Sequence, residues 1–112
     1  MDRFGLDKSI IEKLNKIFAK YEEVERVCIF GSRAKGTYKK TSDIDIVLYG
    51  DKLTHTINTK IYYDIDDLYL IYKIDLINFN SLKETDKIRE SILKEGVEIY
   101  AREFKTIIWE FA

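Results

Sequence analysis

Two short apolar runs separated by a polar loop constrain this chain more than any other feature. Val24 to Phe30 is mostly apolar and stops at Gly31-Ser32, the pattern of a buried strand feeding a turn. Residues 31–42 are small and polar, which predicts a loop. Beyond it Ile44, Ile46 and Leu48 alternate with Asp43, Asp45 and Val47, a second strand with one face turned to a core. Helical spacing brackets the pair. Leu6, Ile10, Ile11, Leu14, Ile17, Phe18 and Tyr21 predict a first helix, with Asp7 or Ser9 to cap it. From Leu53, the residues Ile57, Ile61, Ile65 and Leu68 predict a second. Tyr72 to Phe79 alternates again, with Ile74 and Leu76 inward and Asp75 on the opposite face. Ser81-Leu82-Lys83-Glu84 reads as a capping box for a helix through Ile88, Ile92 and Leu93, closed by Gly96. Val97 to Tyr100 suits a short strand, and Phe104, Ile107, Ile108 and Phe111 a last short helix. The order α-β-β-α-β-α-(β)-α implies an α/β (α+β) fold, a small mixed sheet with helices packed on it.

Length and composition narrow the function classes. With 112 residues the expectation is one domain, residues 1–112, with little surface left to embrace a large substrate. Basic and acidic side chains number 19 and 20, so the net charge of −1 argues against a protein that coats nucleic acid, and no direct nucleic-acid binding is expected. The one cysteine offers no disulfide and no thiolate cage. No apolar stretch nears the ~20 residues that cross a bilayer, and the first residues lack a signal peptide's apolar run. The expected setting is a reducing cytoplasm, away from membranes.

The chemistry concentrates in residues 31–45 and at Asp75. A strand ending in Gly31-Ser32 turns its backbone N–H groups and a hydroxyl outward as an anion cradle, and Arg33, Lys35, Lys39 and Lys40 make the loop locally basic. A polyphosphate is the natural counterpart. The loop nearly matches the P-loop pattern, but Thr37 stands where its lysine belongs, which excludes that reading. Asp43 and Asp45, two apart on a strand, share a face about 6.6 Å apart and repel unless a cation lies between them. Hard Mg²⁺ is held by such carboxylates together with substrate phosphates. If the Asp75 strand is a neighbour, three carboxylates converge beside a phosphate loop, an arrangement for two-metal nucleotidyl transfer.

Gly31-Ser32, ten residues, then Asp43-x-Asp45 with a later Asp75 resembles the nucleotidyltransferase superfamily of DNA polymerase β. More narrowly it resembles the minimal nucleotidyltransferase (MNT) domain, the antitoxin of MNT/HEPN toxin–antitoxin pairs. The likeness runs from the first helix to Gly96-Val97. It implies that Gly31 and Ser32, with Arg33 and Lys35 nearby, bind the triphosphate of ATP. It implies that Asp43, Asp45 and Asp75 hold Mg²⁺, two ions in this superfamily, with Asp75 also as base. AMP would pass to a tyrosine of a HEPN ribonuclease toxin and silence it. Lys35 stands where many relatives carry Arg, keeping charge but losing the two-pronged fork. The toxin's own Arg-x4-His-x-Tyr motif is absent, because Gly50 stands five residues before the only His. Two other readings share these residues: a catalytically silent module that blocks the toxin by occlusion, and a nucleotidyltransferase acting on a small molecule.

Elsewhere structural roles are expected. Asp64-Ile65-Asp66 lies on a helix, where residues two apart diverge, and reads as a solvated face. His55 has no ligand partner in reach and Cys28 suits a core. Tyr62, Tyr63, Tyr69 and Tyr72 fit core and rim packing better than an adenine or partner surface.

Overall fold

The computed structural model describes residues 3–102. Helix α1 (Lys8–Ala19) is followed by strand β1 (Arg26–Phe30), a single helical turn α2 (Ser32–Lys35) and strand β2 (Ile44–Tyr49). Helix α3 (His55–Asp66), strand β3 (Ile74–Asn78), a 3₁₀ turn (Phe79–Ser81), helix α4 (Lys87–Glu95) and strand β4 (Val97–Ala101) complete the order. The final helix expected over Phe104–Phe111 lies outside the described residues.

The four strands form one sheet in the order β3-β2-β1-β4. β1 runs antiparallel to both β2 and β4. β2 and β3 are parallel, which demands a crossover, and α3 supplies it. Strand alternation then sorts the side chains. Val27, Ile29, Ile44, Ile46 and Leu48 enter the larger core with Leu14, Ile17 and Phe18 of α1 and Ile61 and Ile65 of α3. On the other face Cys28, Phe30 and Val47 meet Ile92 of α4 in a smaller cluster. The sheet is therefore mixed and covered on both faces. Among the described residues no helix is long and apolar enough to cross a membrane.

Local chemistry explains the element ends. Asp7 caps α1 by accepting from the Ser9 N–H at 3.2 Å. Thr54 Oγ1 does the same for the Ile57 N–H of α3, also at 3.2 Å. The expected capping box at Ser81–Glu84 does not form. The Ser81 hydroxyl instead donates to the Asn78 carbonyl at 2.7 Å, closing the turn after β3, and α4 begins later behind Asp86. Asp86 Oδ2 accepts from the Lys83 N–H at 2.8 Å.

Candidate active site

The site gathers where β1 ends and β2 and β3 begin. In register, Phe30 of β1 faces Asp45 of β2, and Asp45 faces Asp75 of β3. The adjacency of these strands, expected only conditionally from the sequence, is thus present, with the strands parallel and the two carboxylates on neighbouring strands. Both lie on the α4 face, opposite the larger core, because Ile44, Ile46, Ile74 and Leu76 take the other alternation. Asp43 sits one residue before β2, exposed.

Residues 31–42, expected to be loop throughout, contain the turn α2. Gly31 begins it at φ 73°, ψ −154°, and Gly36 ends it at φ 83°. The Ala34 and Lys35 N–H groups donate to the Gly31 carbonyl, each at 3.1 Å. The amides that open the turn have no preceding carbonyl within it, so they point outward beside the Ser32 hydroxyl. Gly31 also touches Asp45: a Cβ built on it would lie 2.4 Å from Asp45 Oδ2. The glycine turn and Asp45 are thus packed against each other.

Electrostatics follows from that packing. The Asp45 carboxyl is pushed above the usual carboxylate range, first by burial and then by the charges of Asp75 and Asp43, while Arg33 acts in the opposite sense. Asp43 and Asp75 are exposed and Asp45 is half-buried. Among the described residues no group of three acidic, His or Cys side chains is drawn into joint ligating reach. The donor set is hard oxygen, and Mg²⁺ ordinarily completes its shell with water and substrate phosphates rather than with an all-protein cage. Mutual repulsion across an in-register pair and a glycine cradle against one carboxylate fit such an ion.

The basic residues divide. Lys35 is exposed and pairs with Glu95 of α4 at 3.7 Å, a surface contact that an incoming phosphate can replace. Arg33, expected to face the phosphates, does not. Its side chain is 2 % exposed and donates inward, to the Phe4 carbonyl at 2.9 Å and the Ser42 carbonyl at 2.9 Å. The rings of Tyr38 and Tyr72 flank it at 5.2 and 4.8 Å. An alternating basic loop carries no mark of which cation turns inward, so sequence reading missed this.

Other expectations sort in the same way. Cys28 is buried in the smaller cluster, and burial pushes its thiol up. His55 is exposed at the start of α3. Of the four tyrosines Tyr72 packs on the larger core as expected, half-buried against Arg33, whereas Tyr62, Tyr63 and Tyr69 are exposed, Tyr69 at 87 %. A cleft of about 350 Å³ between Tyr62, Ile65, Tyr72 and Ile74 lies on the α3 side of β3, away from Asp75.

The second Asp-x-Asp pair is structural at its first member. Asp64 accepts from the Tyr21 hydroxyl and pairs with Lys20 at 3.3 Å. The Tyr21 bond, then Lys20, holds the Asp64 carboxyl below its usual range against the opposing pull of burial. A depressed carboxyl contributes stability above the unfolded pKa and loses it as pH falls through the folded one. Tyr21→Phe is therefore expected to cost about 1 kcal/mol at neutral pH. Its deficit should shrink as pH falls below the ordinary carboxylate range. Urea unfolding of both proteins across an acidic pH series checks this, and a deficit independent of pH would contradict it.

A mixed sheet carrying in-register aspartates beside a glycine turn belongs to enzymes that transfer nucleotidyl groups. The "polymerase beta, nucleotidyltransferase" family model matches residues 12–105, and the chain belongs to that family. Among its relatives is a Methanocaldococcus jannaschii protein provisionally named protein adenylyltransferase MJ1217. It is 37 % identical over 93 residues, covering 82 % of this chain and 93 % of the relative. Two solved structures share the fold. One is a toxin–antitoxin crystallised with AMP-PNP, with TM-score 0.66 and 18 % identity over 95 % of this chain and 82 % of that one. The other is a tri-AMPylated Shewanella oneidensis HEPN toxin in complex with MNT antitoxin, with TM-score 0.65 and 13 % identity over 93 % and 80 % of the two chains.

Proposed function

We propose that this chain is an antitoxin that transfers AMP from ATP to a tyrosine of a partner HEPN ribonuclease and thereby neutralises it. The observation that carries the reading is the register pairing of Asp45 with Asp75 against Gly31, which joins an acidic pair to an anion-binding turn. The relative named as a protein adenylyltransferase supports AMP as the group and protein as the acceptor class. The structural neighbour containing a tri-AMPylated HEPN toxin supports the kind of partner.

In this reading Gly31 and Ser32 receive the triphosphate on the outward amides of α2, and Lys35 leaves Glu95 to answer its charge. Asp43, Asp45 and Asp75 hold Mg²⁺, whose chemistry when bound is to lower the pKa of the attacking hydroxyl and neutralise the leaving pyrophosphate. The acceptor oxygen attacks the α-phosphorus, the bond to the β-phosphate oxygen breaks, and Asp75 takes the hydroxyl proton. The acceptor in this reading is a tyrosine on the partner chain.

The test incubates the protein with α-labelled ATP, Mg²⁺ and the product of the neighbouring gene as the candidate HEPN partner. Label on a tyrosine of the partner is expected. Full neutralisation of the partner without label would replace this reading by the occluding module. Label on a small alcohol but never on protein would replace it by the small-molecule enzyme.

A further inference from the structure

We propose that Arg33 is a positioning residue, a buried guanidinium that sets the metal carboxylates by gripping the segments that enter β2 and β3. The proposal rests on the reading above that Asp43, Asp45 and Asp75 hold a divalent ion. Arg33 is the one charged side chain in the buried set among the described residues. A buried cation is costly unless its donors are satisfied. Here carbonyl oxygens satisfy them. Nε and Nη2 both reach the Ser42 carbonyl, at 3.2 and 2.9 Å, and Nη1 reaches the Phe4 carbonyl at 2.9 Å. Longer contacts run to the Lys40 and Lys39 carbonyls at 3.4 and 3.5 Å.

Two of these contacts bear on the site. The Ser42 carbonyl belongs to the peptide unit whose nitrogen is that of Asp43, and a planar peptide held at its oxygen is held at both ends. Arg33 thereby restricts the backbone that aims the Asp43 carboxylate. On the other side its guanidinium lies 4.8 Å from the Tyr72 ring, three residues before Asp75. The next carbonyl, that of Lys73, accepts the Ile44 N–H at 2.9 Å and begins the β2–β3 pairing. One side chain thus spans the approaches to both metal-bearing strands. Groups of this kind, one step behind the ligands, tune metal affinity about 10–100-fold.

A purely architectural arginine would lower stability and leave metal binding unchanged once the protein is folded, so metal binding decides. Mn²⁺ is the probe, because it accepts the same oxygen donors as Mg²⁺ and is read directly by electron paramagnetic resonance. Arg33→Lys keeps the charge and loses the fork. The expected result is weaker Mn²⁺ binding by about 10-fold or more in a variant that still unfolds cooperatively. The Mg²⁺ concentration for half-maximal transfer should rise in step, with the rate at saturating Mg²⁺ changing far less. Tyr72→Leu, which removes the ring beside Arg33 and keeps an apolar side chain against the core, should weaken Mn²⁺ in the same direction and by less. A folded Arg33→Lys protein that binds Mn²⁺ as the wild type does would overturn the proposal. If that variant fails to fold, unchanged Mn²⁺ binding by Tyr72→Leu overturns it instead. Absence of Mn²⁺ binding by the wild type would remove the metal reading itself, a distinct outcome.

Discussion

Replacing Asp43 and Asp45 together by asparagine is expected to leave a folded protein that no longer transfers AMP. Pre-organised charge stabilisation is worth about 10²–10³ in rate for a single group, so losing both carboxylates should lower transfer by at least about 10³-fold. Stability should move the other way. Burial, Asp75 and Asp43 together push the Asp45 carboxyl up, so its charged form is disfavoured in the folded state. The sign follows from linkage. A raised carboxyl binds its proton more tightly when folded, so stability falls as pH rises from the ordinary carboxylate range through the folded pKa, and at neutral pH the full cost is present. A neutral asparagine avoids that cost, so the melting temperature in chelator should equal or exceed that of the wild type. Adding Mg²⁺ should then raise the wild-type melting temperature, as any ligand of the folded state does, and leave the double variant where it was. Calorimetry with and without Mg²⁺, beside the labelling assay, reads both halves. A variant that melts well below the wild type in chelator would show that these carboxylates hold the fold together. Label persisting on the partner would show that they are not the metal site.

What sequence reading reached, and what it missed, divides along a physical line. Alternation at Ile44, Ile46 and Leu48 and helical spacing from Leu6 to Tyr21 report burial directly, and both runs enter the core as expected. The pairing of β2 with β3 is a long-range fact. A strand pattern says which face is apolar, but not which neighbour it joins, so the meeting of Asp45 and Asp75 could be stated only conditionally. Arg33 shows the limit most clearly. In composition it is one of four basic residues in a polar loop, and nothing local separates the cation that faces phosphate from the one that turns under the loop. Burial of its fork depends on the Phe4 carbonyl, far away in sequence, and on the Tyr72 ring from the segment before β3. Ser81 failed as a cap because it lies in the turn after β3, where its hydroxyl donates to the Asn78 carbonyl, and α4 starts only at Lys87. Tyr72 met the expectation of core packing, but Tyr62, Tyr63 and Tyr69 did not, because an amphipathic ring suits a core rim and an open surface equally well.

Gly31→Ala is expected to damage the fold and the site together. Two costs meet there. At φ 73° and ψ −154° the backbone occupies a region that is essentially glycine's own, and an L side chain there is strained by about 1–3 kcal/mol. The new Cβ would also lie 2.4 Å from Asp45 Oδ2 and 3.3 Å from its Cγ. Asp45 has little room to yield, since in the sheet Phe30 stands on one side of it and Asp75 on the other. The expected loss is about 2–4 kcal/mol of stability, combining that strain with a displaced half-buried side chain, and transfer falls to background. Gly36→Ala separates the two costs. Gly36 has a comparable φ of 83° but nothing within 4 Å of the position its Cβ would take. That variant should lose only about 1–2 kcal/mol, the strain alone, and keep most of its transfer activity. The clash term can be isolated further, because in an Asp45→Ala background the methyl at Gly31 meets no carboxylate. There its cost in stability should fall toward that of Gly36→Ala, and the shortfall is the coupling between the two positions. Equal cost in both backgrounds would mean that Gly31 matters for its backbone alone, and that the phosphate turn and the carboxylate pair are independent parts.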